Sequence, residues 1–190
     1  MIKFLGIISI ILFSISIAFC QKQKITDSKF KKLSIIENTD DFEFVDGIFK
    51  ACIYFQNLGY KIIIITNQSG ISRGYYDESE FQKLTKWMLG QFKNNNINIL
   101  DIFHCPHGPD SNCDCRKPKP GMFLSAKKKY NIDMRNSWMI GDKKADIIAA
   151  NNSGIFNTIL VRSGHKINES SSKAKFILDS IIDSKKVIIS

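Results

Sequence analysis

The chain has 190 residues, of which 44% are hydrophobic and 24% charged, a composition that is typical of one globular domain and excludes a disordered or fibrous chain. Its formal net charge of +9 favours anionic partners, but its lysines are scattered, and the densest run, residues 127–129, is shorter than a typical basic tail. We therefore expect a protein that handles anionic small molecules and does not bind nucleic acid.

The first twenty residues contain an apolar run over residues 4–19 that has two interpretations. Small residues at Ser16 and Ala18 suit a signal-peptidase site, so the run would be an export signal or an anchor, although a membrane span needs about 20 apolar residues. The many isoleucines in the run suit instead a buried strand of a parallel sheet. Residues 1–40 are therefore set apart as an atypical segment from a domain of residues 41–190.

Strand and helix patterns alternate along the rest of the chain. Asp77 and Glu80 have the spacing of a capping box at the start of a helix, and Gly59 suits the end of the preceding one. The predicted strands cover residues 61–65, 99–103, 137–140 and 157–161, and the other predicted helices cover residues 46–58, 122–130 and 143–152. This alternation predicts a three-layer, Rossmann-like α/β fold whose parallel sheet binds ligands at the carboxyl ends of its strands.

Polar motifs follow these strands where ligands are expected. The sequence TNQSG at residues 66–70 offers hydroxyl and amide donors to a phosphate group, although such a turn is also common in ordinary loops. The sequence RKPKPG at residues 116–121 presents adjacent cations on a stiff loop, which suits an anionic substrate or a solvated basic loop. Asp142 follows the third strand and suits a magnesium ion or a simple helix N-cap.

Three of the five cysteines lie close together with a histidine. The C-x-H and C-x-C spacing is typical of a metal site rather than of a disulfide framework, and an incidental cluster is the alternative. The four side chains are therefore expected to bind one metal ion, with the thiols reduced. These ligands are Cys105, His107, Cys113 and Cys115.

The order of these motifs resembles the haloacid dehalogenase (HAD) superfamily. Within it, the chain is similar to the branch that contains D-glycero-D-manno-heptose 1,7-bisphosphate phosphatase and histidinol-phosphate phosphatase. The resemblance covers residues 41–164 and includes DFEF at residues 41–44, TNQSGISRG at residues 66–74, the cysteine motifs and GDK at residues 141–143. Residues 69–75 and the helix over residues 81–88 look more like the heptose enzyme.

The resemblance implies a magnesium-dependent phosphatase in which the cysteine cluster binds a structural zinc ion, as a closed tetrahedral set that leaves no position for substrate. Thr66 would hold the transferring phosphoryl group, Lys117 would neutralise its charge, and Asp142 would bind magnesium with Lys143 beside it. A phosphorylated sugar would be contacted by Asn67, Gln68, Ser69, Arg116 and Lys117, in addition to Thr66. The resemblance also implies a monomer that works in the cytoplasm, where zinc-bound thiolates stay reduced.

One element of the superfamily pattern is missing. Its first strand ends in Asp-x-Asp-Gly, whose first aspartate attacks phosphorus, and no such motif precedes residue 40. If residues 15–19 form this strand, Gln21 and Gln23 stand at the carboxylate positions, and an amide cannot form an aspartyl-phosphate. The central first strand would then be absent or replaced, and we expect little phosphate release.

Three hypotheses about function therefore remain open. The chain is a phosphatase in which another carboxylate rescues activity, or it is an inactive relative that binds a phosphosugar or a protein. Alternatively, its first forty residues are foreign to the fold, through a frameshift, a misplaced start or a gene fusion.

Overall fold

The computed structural model describes residues 44–165 and 169–189, residue 42, and the backbone of residues 9–12. Within these residues six strands form one sheet with the order β3-β2-β1-β4-β5-β6, and all five pairings are parallel. The strands are β1 Ser9–Leu12, β2 Lys61–Asn67, β3 Ile99–Cys105, β4 Trp138–Gly141, β5 Asn157–Val161 and β6 Phe176–Leu178. The helices are α1 Ile48–Asn57, α2 Glu78–Asn94, α3 Gly121–Tyr130 and α4 Lys144–Ser153, with 3₁₀ helices at Glu169–Ser171 and Ile181–Lys186. Among these helices none has the length and apolar character needed to cross a membrane.

Strand β2 separates two hydrophobic clusters. Ile62 and Ile64 pack with residues of α1 and α2, whereas Ile63 and Ile65 pack with residues of α3 and α4. Successive side chains of a strand point to opposite faces of the sheet, so each pair reaches one helical layer. All four isoleucines are at most 1% exposed, which explains the unbroken apolar run in this strand. The three-layer parallel architecture confirms the predicted fold class.

Most predicted elements occur where their local signals place them. Asp77 caps α2 with both bonds of the capping box, since it accepts from the Glu80 N–H at 2.8 Å and its own N–H donates to the Glu80 carboxylate at 2.7 Å. Gly59 follows α1 with a φ of 87°, and its N–H donates to the Gln56 carbonyl at 2.8 Å. Strand β6 and the 3₁₀ helices were not predicted from the sequence.

The N-terminal apolar run supplies the central strand of the sheet. In β1, Ile11 pairs with Ile63 of β2, and Leu12 pairs with Ile140 of β4. The strand lies earlier than the segment predicted for it, residues 15–19, because isoleucines recur through the whole run and give no signal for one register. Residues 15–19, Gln21 and Gln23 lie outside the described residues, so the match of these glutamines to the missing carboxylates stays a prediction.

The strand order reverses between β1 and β4. Strands β2 and β3 extend to one side of this point, and β5 and β6 extend to the other. In doubly wound sheets, ligands bind in the crevice at the carboxyl ends of the strands beside such a reversal. Thr66 lies near the end of β2, Cys105 ends β3, and Asp142 follows β4, so the predicted motifs meet at this edge.

Candidate active site

Lys117 is a buried cation at the carboxyl end of β2. Its ammonium donates to the Ile65 carbonyl at 2.7 Å and lies 2.8 Å from a carboxylate oxygen of Asp146, and the residue is 3% exposed. Its backbone is held by the Asn67 side chain, which accepts from the Lys117 N–H and donates to the Lys117 carbonyl, both at 3.0 Å. The position of Lys117 is therefore fixed by β2, by α4 and by its own loop.

Thr66 also lies at this carboxyl edge of the sheet, which we call the anion-binding edge after its predicted ligand. It is 2% exposed, and its hydroxyl oxygen accepts a hydrogen bond from the Gln68 amide nitrogen at 2.9 Å. Gln68 is 3% exposed, and its amide oxygen accepts from the Tyr76 hydroxyl at 2.6 Å. The predicted pocket residues Asn67 and Gln68 thus bond to protein groups through their amides, and Ser69 is half-buried on the same turn.

Asp142 presents one carboxylate oxygen that suits a metal ion. Its Oδ2 accepts from the His165 N–H at 3.2 Å and from the His165 Nδ1 at 2.5 Å. Its Oδ1 is buried and has no hydrogen-bond partner in the described part of the chain. A side chain at Gly164 would begin 2.3 Å from Oδ2, so this close approach of the loop requires glycine. A hard cation such as magnesium prefers oxygen ligands of this kind, and Asp142 therefore fits the predicted role.

Three cationic side chains lie near the carboxylates of Asp142 and Asp146. Burial lowers the pKa of Lys143, whereas the carboxylates of Asp142 and Asp146 raise it. The nearby positive charges of Lys117 and Arg116 lower this pKa further. The Lys143 N–H also donates to Asp146 at 3.0 Å. Three cations around two carboxylates favour the binding of an anion at this edge of the sheet.

The structure adds three residues that the sequence analysis did not assign to the site: Asp146, His165 and Tyr76. Asp146 follows Asp142 by four positions at the start of α4, a spacing that a search for paired carboxylates would have found. His165 and Tyr76 reach the site from loops, and no local pattern marks either residue.

The predicted zinc ligands converge after β3. Their four donor atoms lie within 4.8 Å of one another, and two of the separations are 3.3 Å for His107 to Cys115 and 3.7 Å for Cys105 to Cys113. Bonds of about 2.3 Å to a tetrahedral zinc place sulfur ligands about 3.8 Å apart, so the cluster fits one four-coordinate ion. Burial raises the pKa of Cys105 to about 12. Burial acts in the same direction on Cys113, but hydrogen bonds, of which that from the Arg116 backbone is the strongest, outweigh it and lower the pKa of Cys113 to about 6.

Residues 105–115 contain the candidate metal ligands, and this segment, named the metal-binding loop for them, contacts the anion-binding edge directly. The Cys105 carbonyl accepts from the Gln68 N–H at 2.7 Å, and the His107 carbonyl accepts from the Arg116 guanidinium at 3.0 Å. Arg116 and Lys117 follow Cys115 without a break. The loop therefore holds Arg116 directly, one of the two cations predicted from the sequence to contact substrate.

A doubly wound sheet with a threonine, a buried lysine and an aspartate at its carboxyl edge defines the class of HAD-like hydrolases, and the sequence model of HAD-hydrolase-like proteins matches residues 114–184. A D-glycero-beta-D-manno-heptose-1,7-bisphosphate 7-phosphatase from Vibrio cholerae is 45% identical over 156 residues, which are 78% of this chain and 84% of that protein. A D-glycero-alpha-D-manno-heptose-1,7-bisphosphate 7-phosphatase from Campylobacter jejuni is 50% identical over 127 residues, 67% of this chain and 73% of that protein. The chain belongs to the heptose 1,7-bisphosphate 7-phosphatase family.

A solved structure shows the same fold. The crystal structure of D,D-heptose 1,7-bisphosphate phosphatase from B. bronchiseptica, complexed with magnesium and phosphate, matches with a TM-score of 0.70 at 21% identity. The match covers 96% of this chain and 97% of that chain.

Proposed function

We propose that this chain acts on the 7-phosphate of D-glycero-D-manno-heptose 1,7-bisphosphate, a phosphate monoester. The observation that carries the proposal is the buried ammonium of Lys117, fixed beside Thr66 at the carboxyl edge of the sheet. Phosphoryl transfer depends on positioning and on stabilisation of charge, which a fixed cation and a hydroxyl donor supply. The names of the relatives favour a heptose over histidinol phosphate and include both anomers.

Each residue at this edge has a proposed role. Thr66 donates its hydroxyl to a phosphoryl oxygen, Lys117 neutralises charge on the phosphoryl group, and Arg116 binds the sugar phosphate. Magnesium, held by Asp142, would add a second source of positive charge at the phosphoryl group. Zinc in the metal-binding loop is proposed to be structural, because four protein ligands leave no position for substrate.

One feature of the sequence favours binding of the substrate without efficient hydrolysis. No aspartate or glutamate precedes Asp27, so neither β1 nor the residues that directly follow it supply a carboxylate. A glutamine amide cannot take the place of the attacking carboxylate in an aspartyl-phosphate mechanism. The second candidate function is therefore a phosphosugar-binding protein with little turnover.

A phosphate-release assay and calorimetry, run side by side with heptose 1,7-bisphosphate, magnesium and zinc-loaded protein, test both candidates. We expect the wild-type chain to bind the sugar and release little phosphate. If Gln21 and Gln23 occupy the carboxylate positions, the variant Gln21→Asp/Gln23→Asp raises release, and Gln21→Ala/Gln23→Ala is its matched control. Robust release that persists in the alanine variant would show that the nucleophile lies elsewhere, and absence of binding would refute the proposal.

We further propose that the protein is a monomer in the cytoplasm, where three zinc-binding thiols stay reduced. Cell fractionation followed by mass measurement of the intact chain tests the location. Recovery from the membrane or the exported fraction with residues 1–20 removed would contradict it.

A further inference from the structure

A buried chain of hydrogen bonds leads from Tyr76 to Thr66. Tyr76, Gln68 and Thr66 are 8%, 3% and 2% exposed, so none of them depends on solvent for its bonds. The Tyr76 hydroxyl lies 2.6 Å from the Gln68 amide oxygen, and the Gln68 amide nitrogen lies 2.9 Å from the Thr66 hydroxyl oxygen. The chain therefore connects the start of α2 with the anion-binding end of β2.

The Tyr76 hydroxyl acts as a donor in this chain. Burial raises the pKa of Tyr76 to about 12, against a hydrogen bond from the backbone of Gly70, so the hydroxyl keeps its proton at neutral pH. The ring packs on Gly70 so closely that a side chain there would begin 2.2 Å from it. The Tyr76 proton is therefore available to the Gln68 amide oxygen, to which the hydroxyl donates at 2.6 Å.

The direction of the Gln68 amide decides what Thr66 can do. With its oxygen held by Tyr76, Gln68 turns its nitrogen toward Thr66, and the Thr66 oxygen accepts. If the amide were reversed, its oxygen would accept the Thr66 proton and remove the donor that a phosphoryl oxygen needs. Tyr76 therefore selects the direction of the Gln68 amide, and in that direction the amide donates to the Thr66 oxygen.

We infer that Tyr76 is a positioning residue that acts through Gln68 to direct the Thr66 hydroxyl away from the amide and toward the bound phosphoryl group. The final step, donation to phosphate, rests on the proposed function. The direction of the amide itself is a property of the protein without ligand, so the two parts are tested separately.

Hydrogen exchange measured by NMR on the zinc-loaded protein without ligand tests the direction of the amide. The variant Tyr76→Phe keeps the ring and removes only the hydroxyl, and we expect it to speed exchange of the Gln68 side-chain amide about tenfold by freeing that group to rotate. The matched control is Tyr54→Phe, which removes a hydroxyl that donates to the Ile188 carbonyl at 2.9 Å, away from this chain of bonds. An unchanged exchange rate in Tyr76→Phe would overturn the inference.

A double-mutant cycle measured by calorimetry with inorganic phosphate tests the link to Thr66. Loss of one neutral hydrogen bond predicts that Tyr76→Phe weakens phosphate binding about three- to tenfold. In a Thr66→Val background the same change is expected to have no further effect, because the group through which Tyr76 acts is gone. An equal loss in both backgrounds would reduce Tyr76 to a merely structural role. If the wild type binds no phosphate while the exchange result holds, the proposed function fails and the amide-directing role of Tyr76 stands.

Discussion

The positive charge of Lys117 is balanced by a carboxylate inside the protein rather than by solvent. The side chains of Lys117 and Asp146 are 1% and 0% exposed and lie 2.8 Å apart, so each charge is compensated mainly by the other. A buried ion pair of this kind adds little net stability, but removal of one partner leaves the other charge unpaired. The pair therefore fixes the position of the cation that we propose for catalysis, and it makes this position sensitive to mutation.

We predict that Asp146→Ala lowers the free energy of unfolding by about 3–5 kcal/mol, because it strands the Lys117 ammonium in the interior. Asp146→Asn keeps the shape and one acceptor, so its loss is expected to be smaller. Chemical denaturation measures both. The control is Asp179→Ala, which breaks an exposed pair with Arg162 and is expected to change stability far less. Equal losses in Asp146→Ala and Asp179→Ala would contradict the prediction.

At the scale of elements, the metal-binding loop is the clearest example of one element that supports another. It contacts the turn after β2 through Cys105 and holds Arg116 through the His107 carbonyl. Loss of the metal is therefore expected to affect the anion-binding edge as well as the loop itself.

We predict that the purified wild-type chain contains one zinc ion and that Cys113→Ser loses it, because a serine hydroxyl is a poor zinc ligand at neutral pH. Elemental mass spectrometry measures the metal, and thermal unfolding measures the accompanying loss of stability. The control is Cys52→Ala, which removes a buried thiol from the opposite hydrophobic cluster and is expected to keep the zinc. A metal-free wild-type protein of full stability would exclude the zinc site.

Elements with strong local signals could be predicted from the sequence, and those fixed by distant contacts could not. The capping box of α2, the residues of β5 and the spacing of the cysteines are all readable within a short window. Strand β1 could not be placed, because residues 7–17 are almost uniformly apolar and its register depends on β2 and β4. The Lys117–Asp146 pair joins a loop to a helix far along the chain, which no local pattern shows.

At the scale of the whole molecule, β1 joins the two halves of the sheet. It pairs with β2 on one side and β4 on the other, so the sheet is continuous only when residues 9–12 are present. This role separates the two interpretations of the N-terminal run, because an export signal would be cleaved and the strand lost.

We predict that a chain lacking residues 1–20 does not fold, because β2 and β4 would expose unpaired edges and lose their shared partner. Circular dichroism and chemical denaturation of the truncated and full-length chains measure the effect. A chain lacking residues 1–7, which keeps β1, is the matched control. If the chain that lacks residues 1–20 unfolds cooperatively and with full stability, the strand is dispensable.

The central position of β1 also affects the order in which the protein can be completed during synthesis. Ser9–Leu12 leaves the ribosome well before its partner Trp138–Gly141, which lies far later in the chain. This apolar segment therefore lacks one of its two partner strands until β4 has been made. Exposed strands are prone to aggregate during such a period. We therefore expect the nascent chain to need protection from aggregation until β4 has been made.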